Sequence, residues 1–258
     1  MGVVLAAAAC GGNGANSDAG PGDGPDTSGP PDQLGGTVRV FAAASLTDAY
    51  GDIAAAFEAE HPGVIVELNL AGSSSLVTQI LEGSPADVVA TADQRTMGQL
   101  VEEQLLGAEP EVVAENALEL VVPAGNPGDV GGLDDLADDD LLVGICAPQV
   151  PCGALAEDAL SAAGVVAAPD TEEPNVRALL TKLTSGDLDV GLVYRSDVVA
   201  AGDAVERIAA PELDGITTAY PVAALADAGD RATADALVDF ITGPEGRRIL
   251  GDHGFIVP

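Results

Sequence analysis

The chain has 258 residues, 42 of them acidic against 9 basic, for a formal charge of −33; a nucleic-acid surface would be basic, so that class of partner is excluded. Apolar residues make up 47 %, enough for one large core or two smaller ones, and no apolar run approaches the ~20 residues of a membrane-spanning helix. With no Trp and only 3 % aromatic residues, the core has to be built from Val, Leu, Ile and Ala.

In chain order, residues 1–10 read MGVVLAAAAC. A short apolar run of small residues ending in cysteine has the look of a lipoprotein signal remnant, with Cys10 as the lipidated residue, although no Lys or Arg precedes the run. Residues 11–36 are Gly, Pro, Asp and Ser with almost nothing apolar, a disordered linker by composition. As a flexible coil it would reach roughly 28 Å, which suits a tether between a membrane surface and a folded body. From Thr37 strands and helices alternate. Strands are predicted at 38–42, 64–70, 88–91, 118–122, 141–145, 190–194 and 217–224. Helices are predicted at 45–60, 74–82, 94–105, 153–163, 175–185 and 232–241. A last short helix runs from Pro244 to about Leu250, where Gly251 stops it. Such alternation argues an α/β fold. The Gly- and Asp-rich stretch 124–140 interrupts it, and the chain ends on one strand and two helices with no further strand to cover. The economical topology leaves a first lobe near Val122 and returns near Tyr220, so that 37–121 with 219–258 form lobe 1 and 122–218 form lobe 2.

Four helix starts carry the functional signal. The apolar run Val38 to Ala44 ends at Ser45, after which Leu46, Tyr50, Ile53 and Phe57 follow at the spacing of one helix face. Gly72-Ser73-Ser74-Ser75, Pro151-Cys152-Gly153-Ala154 and Pro174-Asn175-Val176-Arg177 repeat the device. A strand turning straight into a helix presents unpaired N–H groups and a positive dipole end, a ready anion site. A lone serine there usually only caps its helix, and Ser45 could close a variant capping box with Asp48; four such starts in one α/β chain point to a common centre. Tyr194 taken alone is a core or rim residue, but at a strand end it stands in the ligand position of an open α/β sheet.

The donor types narrow the ligand. Ser, Tyr and backbone N–H groups converge without a formal positive charge. Arg177 and Arg195 flank the site segments, either as contacts or pointing outward. Phosphate at neutral pH still carries a proton and calls for an acceptor in its site. A donor-only set favours deprotonated dianions: molybdate, tungstate or sulfate. The global charge repels such a ligand, so local dipoles must outweigh it at short range, helped by salt screening. No G-x-S-x-G elbow, H-E-x-x-H, P-loop or Rossmann glycine fingerprint occurs. His61 and His253 are far apart and offer neither a base nor a metal set. No catalytic residue and no cofactor is assigned.

The stretches Val40-Phe41-Ala42-Ala43-Ala44-Ser45-Leu46-Thr47, Ala71-Gly72-Ser73-Ser74-Ser75-Leu76, Pro85-Ala86-Asp87-Val88 with Ala92-Asp93-Gln94, Val150-Pro151-Cys152-Gly153, Asn175-Val176-Arg177 and Gly191-Leu192-Val193-Tyr194-Arg195-Ser196-Asp197, with the ending Gly243-Pro244-Glu245 and Gly254-Phe255, stand in an order that resembles the periplasmic molybdate-binding proteins of ABC transporters. The resemblance covers Thr37 to the C-terminus. It implies a two-lobed type II periplasmic-binding-protein fold, α/β, with two mostly parallel mixed sheets flanked by helices and joined by two hinge strands, closing on its ligand. It implies Ser45 and Ser73 as hydroxyl and backbone donors from one lobe, with Cys152 and Val176 giving backbone N–H groups and Tyr194 a phenol from the other. These are contacts to the molybdate oxyanion, not direct ligands of its metal. Ser74 is the alternative register for Ser73. The family often has Ala where Cys152 stands, a change that a backbone donor tolerates. Molybdate is the implied ligand, with tungstate nearly indistinguishable, delivered by a monomer to an ABC permease and its ATPase at the outer face of the cytoplasmic membrane. Membrane contact would be only through a lipid on Cys10. A sulfate receptor is the near alternative; a tethered sensor or a hydrolase would be of another class. With Cys10 taken by lipid, Cys146 and Cys152 remain as a pair in an oxidising compartment, and a disulfide between them is expected; two buried thiols are the alternative.

Overall fold

A computed structural model describes residues 34–258. The expected signal remnant, Cys10 and the expected linker as far as Gln33 lie outside the described residues. The last of the linker residues, Gly36, already belongs to β1 (Gly36–Ala43), its N–H donating to the Gly63 carbonyl at 2.9 Å.

The first half follows the alternation closely. β1 leads through a tight 3-10 turn, Ala44–Leu46, into α1 (Thr47–Glu60), then β2 (Val64–Ala71), α2 (Ser73–Leu81), β3 (Val88–Ala90) and α3 (Gln94–Glu102). β1 pairs in parallel with β2 on one side and β3 on the other. Period-two side-chain placement sends Val38, Val40 and Ala42 to one face of this sheet and Phe41 to the opposite face. On the first face they meet Tyr50, Ile53 and Phe57 of α1; on the second, Phe41 meets Leu76, Val77, Met97 and Leu100 of α2 and α3.

β4 (Glu111–Pro123) connects the halves. Its first residues pair antiparallel with β9 (Thr217–Ala224) as far as Ala117. From Leu118 it pairs instead with β7 (Val190–Tyr194) and β8 (Val205–Ile208). The exchange of partners falls at Ala117–Leu118. Leu118, Leu120, Val121 and Val122 are already in the core of the second half. That half contains β5 (Val143–Cys146), α4 (Pro151–Ala163), β6 (Thr171–Glu173), α5 (Val176–Ser185) and α6 (Arg195–Ala201). β5 lies parallel to β6 and β7. Pairing is thus parallel away from the crossing and antiparallel at it, in the order β2-β1-β3-β9-β4-β7-β5-β6, with β8 on β4. After β9 the chain closes with α7 (Arg231–Thr242) and α8 (Pro244–Asp252), whose Leu237, Ile241, Ile249 and Leu250 complete the first core.

Three elements lie beyond the predicted set. β6 is a three-residue Thr-Glu-Glu strand, and β8 is an edge strand with exposed Glu206 and Arg207; neither shows an apolar pattern. α6 follows β7 with no intervening loop. It is held by Asp197, whose carboxylate accepts the Tyr194 N–H at 3.2 Å.

The start of α4 is seated backbone to backbone. A Cβ on Gly153 would stand 1.9 Å from the Ala147 carbonyl oxygen and 2.6 Å from that of Cys146. Gly153→Ala should therefore cost about 1–3 kcal/mol or more, as overpacking against rigid backbone does. Urea unfolding of both proteins measures it, and an unchanged midpoint would show that α4 can shift freely.

Candidate functional site

Each strand that ends at the seam between the halves hands over to a helix or turn there, and these starts converge on one cavity. The turn after β1 contributes Ala44 and Ser45, and the start of α2 contributes Gly72 and Ser73. From the second half come Val150 to Cys152 at the start of α4, Asn175 and Val176 at the start of α5, and Tyr194 at the end of β7. All five residues proposed from sequence, Ser45, Ser73, Cys152, Val176 and Tyr194, line it. The cavity measures about 20 Å³, on a scale where a single water needs about 10–15 Å³. It suits a ligand of a few heavy atoms.

The helix starts are built to leave donors free. α2 begins after Gly72 and α4 after Val150, neither with a side-chain cap. Pro151 has no N–H, so the first donor of α4 is that of Cys152. α5 is capped by Asn175, whose side-chain oxygen accepts from the Ala178 N–H at 3.0 Å. That leaves the Val176 N–H at the open end and the Asn175 amide NH₂ as a further donor. The alternative register is not used: Ser74 turns away and donates to the Gln149 carbonyl at 2.9 Å. The capping box of Ser45 with Asp48 does not form. The 3-10 turn places Ser45 before the helix proper, so its hydroxyl bonds the Tyr220 hydroxyl at 2.8 Å while Asp48 turns to Arg177.

The direction of these bonds matters. The Asn116 amide donates to the Ser196 hydroxyl at 2.8 Å and to the Tyr220 oxygen at 3.4 Å. The Ser45 and Tyr220 hydroxyls share one hydrogen bond in which either can donate; when Tyr220 gives its proton, the Ser45 proton is free for the cavity. Ser73 is arranged likewise: its oxygen accepts the Ala92 N–H at 3.0 Å, so its proton is free. The Tyr194 hydroxyl is buried and has no hydrogen-bond partner among the described residues, a costly state unless a ligand accepts from it. Burial foremost, then the neighbouring Tyr220 and Asp197, pushes its pKa well above the ordinary phenol value, so it stays a neutral O–H donor. No lining residue carries a carboxylate, lysine or arginine.

Around this shell, Cys146 at the end of β5 and Cys152 in the first turn of α4 are joined by a disulfide, with Cα atoms 5.7 Å apart. Arg195 is exposed. Arg177 neither lines the cavity nor points to water: its guanidinium lies 2.5 Å from Asp48 and its Nε 3.0 Å from fully buried Asp197. Tyr220, Asn116 and Asp197 have roles here that sequence reasoning did not assign. The partners of Tyr220 are 175 and 104 residues away, and no local pattern signals them.

A mixed α/β sheet with a cavity at its seam, small, uncharged and lined by donors from both halves, defines a binding protein for a small solute. The chain belongs to the bacterial extracellular solute-binding proteins, whose family description matches residues 38–256. It is 37 % identical over 257 residues to the molybdate-binding protein ModA of Mycobacterium tuberculosis, covering 99 % of this chain and 95 % of that one. The substrate-binding domain of a putative molybdenum ABC transporter from Clostridium difficile superposes with a TM-score of 0.64 at 26 % identity, over 86 % of this chain and 99 % of that one. The periplasmic molybdate-binding protein of Azotobacter vinelandii shares the fold, with a TM-score of 0.72 at 20 % identity over 86 % and 99 %. These relatives are solute-binding transport proteins, and the chain is read as one of them rather than as an enzyme.

Asp197 gives a pH dependence. Burial raises its pKa from 3.8 to about 7, against the opposing pull of Arg177. The folded protein therefore holds a proton that the unfolded chain has released across this window. The stability tied to this group is complete below about pH 4 and is lost as pH rises through 7. Comparing wild type with Asp197→Asn by denaturant unfolding, wild type should lose ground to the variant as pH rises from 4 to 7. A pH-independent difference would mean an ordinary carboxylate.

Proposed function

We propose that this protein captures molybdate, and tungstate with it, in the seam cavity and delivers it to the permease and ATPase of an ABC importer. The observation that carries the reading is the one-way character of the shell. Ser73 and Asn175 each have an oxygen already engaged by another donor, Ser45 is bonded to the Tyr220 hydroxyl, Tyr194 has an unused O–H, and no carboxylate lines the cavity. Such a shell suits an anion that bears no proton and disfavours one that does. Among unprotonated dianions, the sequence relatives named for molybdate favour that ion over sulfate. In this reading the halves open and close about the crossing of β4. Closure adds the Cys152 and Val176 N–H groups and the Tyr194 hydroxyl to the donors of Ser45 and Ser73, so occupancy shifts the equilibrium toward the closed form. The receptor works as a monomer outside the cytoplasmic membrane. The apolar run that ends at Cys10 and the polar stretch after it suit a lipid anchor and tether.

Calorimetry against molybdate, tungstate, sulfate and phosphate tests the reading. Molybdate and tungstate should bind far more tightly than phosphate. Comparable phosphate affinity would remove the donor-only argument, and tight sulfate binding without molybdate binding would make this a sulfate receptor.

Tyr194→Phe keeps the ring and removes one charge-assisted bond, about 1.5–3 kcal/mol. Molybdate affinity should fall roughly 10- to 150-fold. An unchanged dissociation constant would place the Tyr194 hydroxyl outside the contact shell.

A further inference from the structure

We propose that Arg177 is a latch across the cleft, a positioning residue that couples occupancy of the cavity to its closure by reaching from the start of α5 to Asp48 at the start of α1. The inference rests on the reading of the cavity as the ligand site between two halves that open.

Three connections meet at this guanidinium. Along the chain, Arg177 follows Val176, which lines the cavity. Within its own half, its Nε lies 3.0 Å from Asp197 Oδ1, an ion-pair approach without hydrogen-bond geometry, and the other oxygen of Asp197 accepts the backbone N–H of Tyr194. Across the seam, it lies 2.5 Å from Asp48, three residues after Ser45. One side chain is thus tied to the segments that present Val176 and Tyr194 and to the helix that follows Ser45.

The charge distribution makes the placement telling. With 42 acidic and 9 basic residues, two halves brought together repel one another. Every other ion pair among the described residues lies within one half: Arg39–Glu67, Arg95–Asp93, Arg231–Asp235, Arg248 with Glu245 and Asp252, and His253–Asp52 in the first, Lys182–Glu173 and Arg207–Glu119 in the second. Arg177–Asp48 alone joins them. It sits where the seam is tight, since a Cβ on Gly72 would stand 2.7 Å from the Pro174 carbonyl oxygen. The partners differ in what they need. Asp197 is fully buried in the same half as Arg177; Asp48, with 44 % of its side chain exposed, is solvated readily when the halves part. The Asp197 contact belongs to the half, and the Asp48 contact to closure.

The test is Asp48→Asn, with the charge reversal Asp48→Lys, in the full chain; both leave Arg177 with Asp197 and bury no new charge. The readouts are the molybdate dissociation constant, the release rate and the unfolding midpoint without ligand. Asp48→Asn should weaken binding about two- to fivefold at low salt, in the range of a partly exposed ion pair. Most of the effect should appear as faster release, and it should fade as salt is raised. Asp48→Lys should weaken binding further, and neither variant should lower the ligand-free midpoint. Unchanged affinity in both variants, beside a wild type that binds molybdate, would overturn the latch and leave the proposed function standing. A loss of ligand-free stability matching the loss of affinity would also overturn it, because the pair would then be a permanent strut. A wild type that binds no molybdate removes both readings.

Discussion

A hydroxyl group can give a hydrogen bond or take one, and the binding site depends on removing that choice. Ser73 has its oxygen engaged from behind by the Ala92 N–H, and Ser45 is bonded to the Tyr220 hydroxyl; Asn175 has its oxygen engaged by the helix that it caps. What remains pointing inward is protons. Such an arrangement needs no cation to hold an anion, because donors fixed in a closed, low-dielectric space interact more strongly than the same groups in water. It also discriminates. An anion that offers a proton finds no acceptor, and a donor left facing a donor loses its bond on both sides.

The fold follows from bringing such groups together. Backbone N–H donors are free only at helix starts, so the chain needs several strand-to-helix joints facing one point. Parallel strands with helical crossovers supply them at one end of each sheet. The two ends of the mixed sheet supply two sets, one on each side of the β4–β9 crossing. The packing serves the same end. The first sheet is covered on both faces, by α1 and α7 on one side and α2 and α3 on the other. Gly153 brings α4 against the backbone that ends β5, and the disulfide between Cys146 and Cys152 bonds the same two segments. The Cys152 N–H is held by this joint.

What was legible in the sequence was what is local. The helix starts at Ser45, Ser73, Cys152 and Val176 announce themselves because an apolar strand, a small or polar residue and a helical period lie within a dozen residues; their assignment as ligand contacts came from the family resemblance. Tyr194 is legible because it ends a predicted strand. The disulfide followed from counting cysteines. The groups that orient these donors were not legible. Tyr220 reads as one more apolar strand residue, and Asn116 as a polar interruption of another, until the fold places them beside Ser45 and Ser196. Arg177 showed that a cation stood near the site but not which way it faced, since its partners lie 129 residues before it and 20 after. The expected capping box failed for a related reason: Asp48 answered a distant cation rather than its own helix end. The short strands β6 and β8 owe their existence to neighbours in the sheet.

Tyr220 carries one more consequence, for the order in which the receptor comes into being. All four helix starts precede residue 200, and the second core is complete before the chain returns. Tyr220 arrives only with β9, and its ring is packed edge-on by Phe255, 5.2 Å away at the far end of the chain. Until β9 is in place, Ser45 lacks its hydroxyl partner. Along the chain, all four helix starts therefore precede the residue that partners Ser45.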